Sequence, residues 1–361
     1  MGALLCCPPD EDVQRNNEID MNLKKDAEKL RSDEKLLLLG AGECGKSTVV
    51  KQMRVIYADG FSRDEKLKFR AIVRDNAIRS VAMILQAMKN LGIVFENGDL
   101  EEKDSQIREF QLNFDPLNNN IPNSIVSAIV AVWQDPGLQS CYVRSNEYQL
   151  IDSAKYFIEK IDEISKESYE PSTDDIIRAR QQTQGIVEIE INIRTNNSEG
   201  RFRIIDVGGQ RNQRKKWVHA FDDVTALIYV ASLNDYDLTL FEDTRKGTNR
   251  MAESLNLFEN TIQMSVFKKK SVVLFLNKTD LFREKVVRSP IEKYFKDYSG
   301  GPDYKKGAEY FTDQFMSKNQ TENRNIYPHL TCATDTEALA HLINVVADTI
   351  IQQNLSEVGL M

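Results

Sequence analysis

The sequence predicts an α/β protein whose mostly parallel sheet is interrupted by a long all-helical insertion. Three observations carry that expectation. Leu36-Leu37-Leu38-Leu39 runs straight into glycines, the pattern of a fully buried strand ending in a tight loop. From Val187 onward, apolar strand patterns alternate with helical ones, as a βα architecture requires. Between Ser62 and Tyr169 helical stripes recur and no convincing strand alternation is found.

Taken in order, Asp10 to Asp33 is strongly charged, and Ile19, Leu23 and Leu30 give only a thin helical stripe. A helix this polar cannot hold itself by burial and is either frayed or waiting for a partner. After the leucine strand, Thr48 to Met53 reads as a helix. Ser62 and Glu65 form a capping box, and Val73, Ala77, Val81, Ile84 and Met88 continue as a helical face. Asn123 to Trp133 and Glu147 to Ile164 also read as helical. Val187, Ile189, Ile191 and Ile193 alternate with polar residues, so this strand has one wet face. A turn at Asn196 to Gly200 leads to the strand Arg201 to Asp206, giving a hairpin and hence one antiparallel edge. Ala226 to Ala231, Ser271 to Leu276 and Ile326 to Cys332 complete six strands, each of these three read as buried. Leu339, Leu342, Val346 and Ile350 lie on one face of a final helix.

The chain has 361 residues, enough for two domains or for one carrying a large insertion. Its net charge of −8 argues against nonspecific nucleic-acid binding. No apolar run reaches membrane-spanning length, and no signal peptide is visible. Cys44, Cys141 and Cys332 are scattered, as reduced thiols are, and His219, His329 and His341 show no metal-ligand spacing. Gly2 would be exposed after loss of Met1, as N-myristoylation needs. The usual pattern wants Ser or Thr where Cys6 stands, and palmitoylation of Cys6 or Cys7 is the alternative.

The chemistry sits where strands end. Gly40 to Ser47 matches G-x-x-x-x-G-K-[ST], whose glycines let backbone N–H groups turn inward around a phosphate chain. Lys46 can reach the β- and γ-phosphates, and the Ser47 hydroxyl can bind Mg²⁺. Asp206 can hold the same ion through water, and Gly209 can present its N–H to a γ-phosphate. In Asn277-Lys278-Thr279-Asp280, a carboxylate such as Asp280 can accept two hydrogen bonds from the edge of guanine. Adenine lacks that donor pair, a mismatch that discriminates by about 10⁴-fold or more in such sites. In Thr331-Cys332-Ala333-Thr334, a backbone N–H could meet the guanine carbonyl oxygen.

With these motifs in this order, the chain resembles a heterotrimeric G protein α subunit almost from end to end. The resemblance implies a Ras-like P-loop GTPase domain at 35–60 and 179–361, an inserted helical domain at 61–178, and a lipid-anchored helix at 1–34. It implies that GTP or GDP with Mg²⁺ is held by Glu43, Cys44, Gly45, Lys46, Ser47, Thr48, Asp152, Ser153, Arg178, Arg180, Thr183, Gly209, Asn277, Lys278, Asp280, Cys332, Ala333 and Thr334. Arg180 is then a built-in arginine finger, Thr183 the second hydroxyl ligand of Mg²⁺, and Gln210 the residue that orients the attacking water. The implied partners are a βγ dimer, a seven-helix receptor reading the last helix and tail, an effector and a GTPase-activating regulator. Ile19, Leu23, Lys216 and Trp217 are candidate βγ contacts, Trp217 as an interface anchor if it is exposed, with a core tryptophan as the alternative, and the implied location is the cytoplasmic face of the plasma membrane. Three departures stand out. Cys44 replaces a usual serine, Gln181 and Gln182 replace Val and Lys, and Val358 replaces a cysteine that some subfamilies carry. Two rival readings remain: a low-turnover scaffold that sequesters βγ, and a P-loop ATPase or kinase, which Asn277 to Asp280 disfavour.

Overall fold

The computed structural model describes residues 33–117, 120–195, 199–240, 243, 247–322 and 324–357. Gly2, Cys6, Cys7, Ile19, Leu23 and Val358 lie outside the described residues.

Six strands form one sheet: β1 (Glu34–Leu39), β2 (Ile186–Arg194), β3 (Glu199–Val207), β4 (Ala226–Ser232), β5 (Ser271–Asn277) and β6 (Ile326–Leu330). Their order is β2-β3-β1-β4-β5-β6, parallel throughout except for the antiparallel β2–β3 pair. The alternation of side chains along a strand divides the leucine run between two cores. Leu37 and Leu39 pack on one face with Phe258, Phe311 and Phe315, while Leu36 and Leu38 pack on the other with Met53, Ile343 and Ile350. A buried central strand covered on both faces needs no polar alternation, which is why β1 reads as an unbroken apolar run.

A third core, built from helices and the loops between them with no strand, runs from Val73 to Ala179. Its spine is the helix Arg63–Leu91. Both arms of the Ser62–Glu65 capping box form at its start, and Gly92, at φ 66°, closes its end in the left-handed region. The fold is therefore a Ras-like sheet with an inserted all-helical body.

The structure corrects four expectations. Glu147 to Ile164 is not one helix. A short 3-10 turn at Ser145–Glu147 is followed by an irregular segment, then by Ala154–Glu159 and Ile161–Ile164. The irregular stretch carries Ile151 to Ser153 into the cleft described below, a placement a continuous helix would not allow. Second, β6 stops at Leu330, and only Ile326 on it is buried. It is the last strand of the sheet and pairs on one side alone. Third, Glu199 and Gly200 belong to β3 rather than to a turn.

The fourth correction concerns Trp217. It is 4% exposed, packed in the core beneath β3, and its indole N–H donates to the Gly208 carbonyl at 2.8 Å. It is therefore no surface anchor in this conformation, whereas Lys216 beside it is exposed. Replacing Trp217 by alanine is expected to cost about 3–5 kcal/mol in urea unfolding, as buried aromatics do. An exposed tryptophan would cost no more than about 0.5 kcal/mol, so a loss that small contradicts its burial.

Candidate functional site

The C-terminal ends of the parallel strands face the helical body across a cleft, the position at which open α/β sheets bind ligands. Two adjoining chambers make one groove. Lys46, Ser47, Arg180, Thr183, Gly209 and Gln210 line the first. Asn277, Asp280, Cys332, Ala333 and Thr334 line the second. Gly45, Thr48, Asp152, Ser153, Arg178 and Lys278 line both and so join them. Glu43 lines the first chamber as well. Residues from six distant stretches thus converge as the motifs require.

The loop before helix α1 (Lys46–Tyr57) is built for close approach. Gly45 has φ 103°, and the space a side chain would fill there is taken by the Asn277 amide. Gly209 is equally constrained, because a Cβ would collide with Lys46 Nζ and the carbonyls of Gly40 and Ala41. Lys46 Nζ donates to those same carbonyls, at 3.0 and 2.9 Å. The helix start directs its unpaired N–H groups into the groove, a favourable site for phosphate.

A second cluster gathers hard oxygen donors. Ser47 Oγ lies 2.6 Å from both Thr183 Oγ1 and Asp206 Oδ2, and Thr183 Oγ1 donates to Asp206 Oδ2 at 3.3 Å. Asp206 is 2% exposed, and its Oδ1 has no hydrogen-bond partner among the described residues. Burial pushes its carboxyl above the usual range against the opposing pull of Lys46. A buried carboxylate oxygen left without a donor, beside two hydroxyls, fits a hard divalent cation such as Mg²⁺.

Two residues differ from their sequence assignment. Cys44 does not line the groove. It is 1% exposed, and its thiol donates inward to Ala41 O at 3.1 Å. Asn277 lines the second chamber, yet both polar atoms of its side chain are engaged. Its Nδ2 donates to Cys44 O at 2.9 Å, while Oδ1 accepts from Thr331 Oγ1 at 3.2 Å and from the Ala333 amide at 2.9 Å. Asn277 therefore splices three loops together, and the Ala333 N–H is already in use. Asp280 is exposed at the mouth of the second chamber.

An ionic lattice crosses the cleft. Arg180 donates to Glu43 Oε1, and its backbone is clasped by Asn76 of the long helix, N–H to Oδ1 at 2.6 Å and carbonyl to Nδ2 at 3.1 Å. Arg250 reaches Glu43 Oε2 at 3.0 Å and Asp235 at 3.1 Å. Burial works to raise the Glu43 carboxyl, but Arg250, Arg180 and Lys278 together hold it below the usual carboxylate range. Lys278 bonds Asp152 at 2.7 Å, and Ser153 Oγ donates to Arg178 O at 3.0 Å. The Arg178 guanidinium stacks 4.9 Å from the Tyr156 ring. Gln210 accepts from Gln182 Nε2.

Sequence reasoning missed Asn76, Arg250 and Lys51. None sits in a recognisable motif, and their role follows from contacts across more than a hundred residues of chain. Lys51 donates to Ile176 O at 2.9 Å and Ala179 O at 2.7 Å, tying α1 to the connection leading out of the helical body. Burial pushes its ammonium down to about 8 from 10.5. A folded pKa below the unfolded one means that the folded chain binds fewer protons within that window. The contribution of Lys51 to stability therefore rises with pH between those two values. Wild type is expected to gain stability on Lys51→Met between about pH 7.5 and about pH 9.5 in urea unfolding. A difference that stays flat across that range excludes the shift.

A Gly-Lys-Ser loop between the first buried strand and its helix, set in this sheet order, defines a P-loop protein of the Ras-like class. The chain belongs to the G-protein alpha subunit family, whose model matches residues 13–350. It is 42% identical over 361 residues to a guanine nucleotide-binding protein subunit alpha of Emericella nidulans, covering 100% of both chains. It is also 42% identical over 360 residues to the G(o) subunit alpha of Locusta migratoria, again covering 100% of both. The G(o) subunit alpha of Caenorhabditis elegans is 42% identical over 348 residues, with 96% of each chain covered.

Proposed function

We propose that this chain is a guanine-nucleotide switch. It binds GDP or GTP with Mg²⁺, hydrolyses GTP, and couples a membrane receptor to an effector as the α partner of a βγ dimer. The observation that carries this reading is the continuous groove, in which the phosphate loop, the hydroxyl–carboxylate cluster, Arg180, Gln210 and Asp280 meet. The proposed domains are 35–60 with 179–361, and 61–178.

In this reading Ser47 and Thr183 would hold Mg²⁺ and Asp206 would do so through water; the ion would supply positive charge to the phosphate oxygens. Lys46 and the loop amides bind the phosphate chain, and Asp280 selects guanine. Water attacks the γ-phosphorus as the bond to the β–γ bridging oxygen breaks, giving GDP and inorganic phosphate. Gln210 places the water, and Arg180 neutralises charge that develops on the transferred group, so catalysis rests on positioning and electrostatics. Gly209 offers its N–H to the γ-phosphate, which links that group to the order of two segments, 178–188 and 206–217, that would act as the switches. The lipid anchor at Gly2, Cys6 or Cys7 and the plasma-membrane location are part of the same proposal.

A specific observation keeps a low-turnover scaffold as the second reading: Arg180 is held by Glu43, and Gln210 by Gln182. Single-turnover phosphate release from the purified chain with GTP and Mg²⁺ separates the two. A complete burst supports the switch, and tight GTP binding without phosphate release supports the scaffold. No affinity for GDP or GTP overturns both.

A further inference from the structure

A separate cavity of about 230 Å³ opens on the seam between the helical body and the sheet domain. Arg144 and Asn146 line it from the helical side, and Asp237, Lys285, Arg288 and Lys293 from the other. None of these residues lines the nucleotide groove. Four of the six are cationic in a chain whose net charge is −8.

The charges are not all satisfied. Arg144 is paired with Glu147 at 2.6 and 2.7 Å, and Lys285 with Asp237 Oδ1 at 2.8 Å. Arg288 and Lys293 have no carboxylate within ion-pair distance among the described residues, and the Lys293 ammonium rests 5.4 Å from the Tyr294 ring centre. Asp237 is only 4% exposed, yet its Oδ2 has no hydrogen-bond partner among the described residues. Asn146 Nδ2 already bridges the seam by donating to Tyr294 Oη at 3.4 Å.

We propose that this cavity binds a small phosphate ester that also carries hydroxyl groups. Phosphate oxygens pair with the Arg288 guanidinium and the Lys293 ammonium, where charge-assisted bonds are strongest. A ligand hydroxyl donates to Asp237 Oδ2, which a simple carboxylate ligand would leave unmet. A divalent cation is disfavoured, because four positive groups surround one acid. Arg144 and Asn146 wall the cavity on the helical side, so an anion held by Arg288 and Lys293 lies packed between the two lobes, stabilises the closed arrangement and slows escape of the nucleotide between them. That last consequence rests on the proposed GDP binding, whereas the anion site itself does not.

The test uses the full chain with excess GDP and Mg²⁺, so that the nucleotide groove is filled. Calorimetric titration with myo-inositol trisphosphate is the soluble probe. Cosedimentation with vesicles carrying phosphatidylinositol bisphosphate is the lipid probe. Saturable binding to either supports the site, and the probe that binds more tightly identifies the source. The double variant Arg288→Gln/Lys293→Gln is expected to weaken that binding by about tenfold or more. The probe should also slow release of fluorescent GDP in the wild type and not in the double variant. Failure of both probes to bind overturns the site and leaves a water on Asp237. Equal affinity of wild type and double variant overturns it as well. Fluorescent GDP affinity, measured on the same samples, reports separately on the nucleotide reading.

Discussion

Replacing Gln210 by leucine is expected to lower single-turnover GTP hydrolysis by about two to three orders of magnitude, while GTP affinity stays near that of the wild type. Gln210 lines the first chamber beside Gly209 and Arg180. Leucine keeps the volume of the side chain but removes the amide to which the proposal gives the alignment of the water. It forms no part of the Lys46 cradle or of the Ser47–Thr183–Asp206 cluster, so ground-state binding survives. In kinetic terms the loss falls on the chemical step and leaves the dissociation constant in place. The Gln182 amide donates to the Gln210 carbonyl, and Gln210 keeps a second lone pair and its own amide N–H groups for other partners. Hydrolysis by Gln210→Leu at the wild-type rate rules out the assigned role.

Replacing Asp280 by asparagine is expected to shift preference from guanine toward xanthine nucleotides by about 10⁴-fold or more, measured as the ratio of the two dissociation constants. An aspartate accepts twice from the donor pair on guanine. An asparagine presents one acceptor and one donor, which suits a base with a carbonyl in place of the amino group. The neighbouring residues are fixed independently of Asp280. Asn277 holds the Cys44 carbonyl and the Ala333 amide, and Lys278 is anchored on Asp152 and on the Glu43 carbonyl. The substitution therefore changes recognition without loosening the loop. Unaltered selectivity for GTP over xanthosine triphosphate would remove Asp280 from base recognition. The Ala333 N–H is already bonded to Asn277.

Much of this was legible before any coordinates. The leucine run and the Gly40–Ser47 loop identified the central strand and the tight turn into its helix, because burial on both faces and a glycine turn each leave a local trace. The strand-ending motifs were likewise local, and their residues do reach one groove. Trp217 was not legible. Its surroundings in sequence, Arg214-Lys215-Lys216, are those of a surface segment, and only packing against the sheet puts the indole under Gly208. The segment from Gln149 to Ser153 misled for the opposite reason. Its apolar spacing suits a helix, and the contacts of Gln149 with Glu43 and of Asp152 with Lys278 prevail over that local preference.

By itself, then, the order of residues determined the sheet class, the helical insertion and the position of the phosphate loop, since each depends on near neighbours along the chain. Only the tertiary structure decided which side chains are spent on architecture and which remain available to a ligand. Asn277 and Arg180 have partners 233 and 137 positions away. A hydrogen-bonding group with its capacity filled cannot also serve a ligand without giving up a bond. That accounting exists only once distant segments have been brought together.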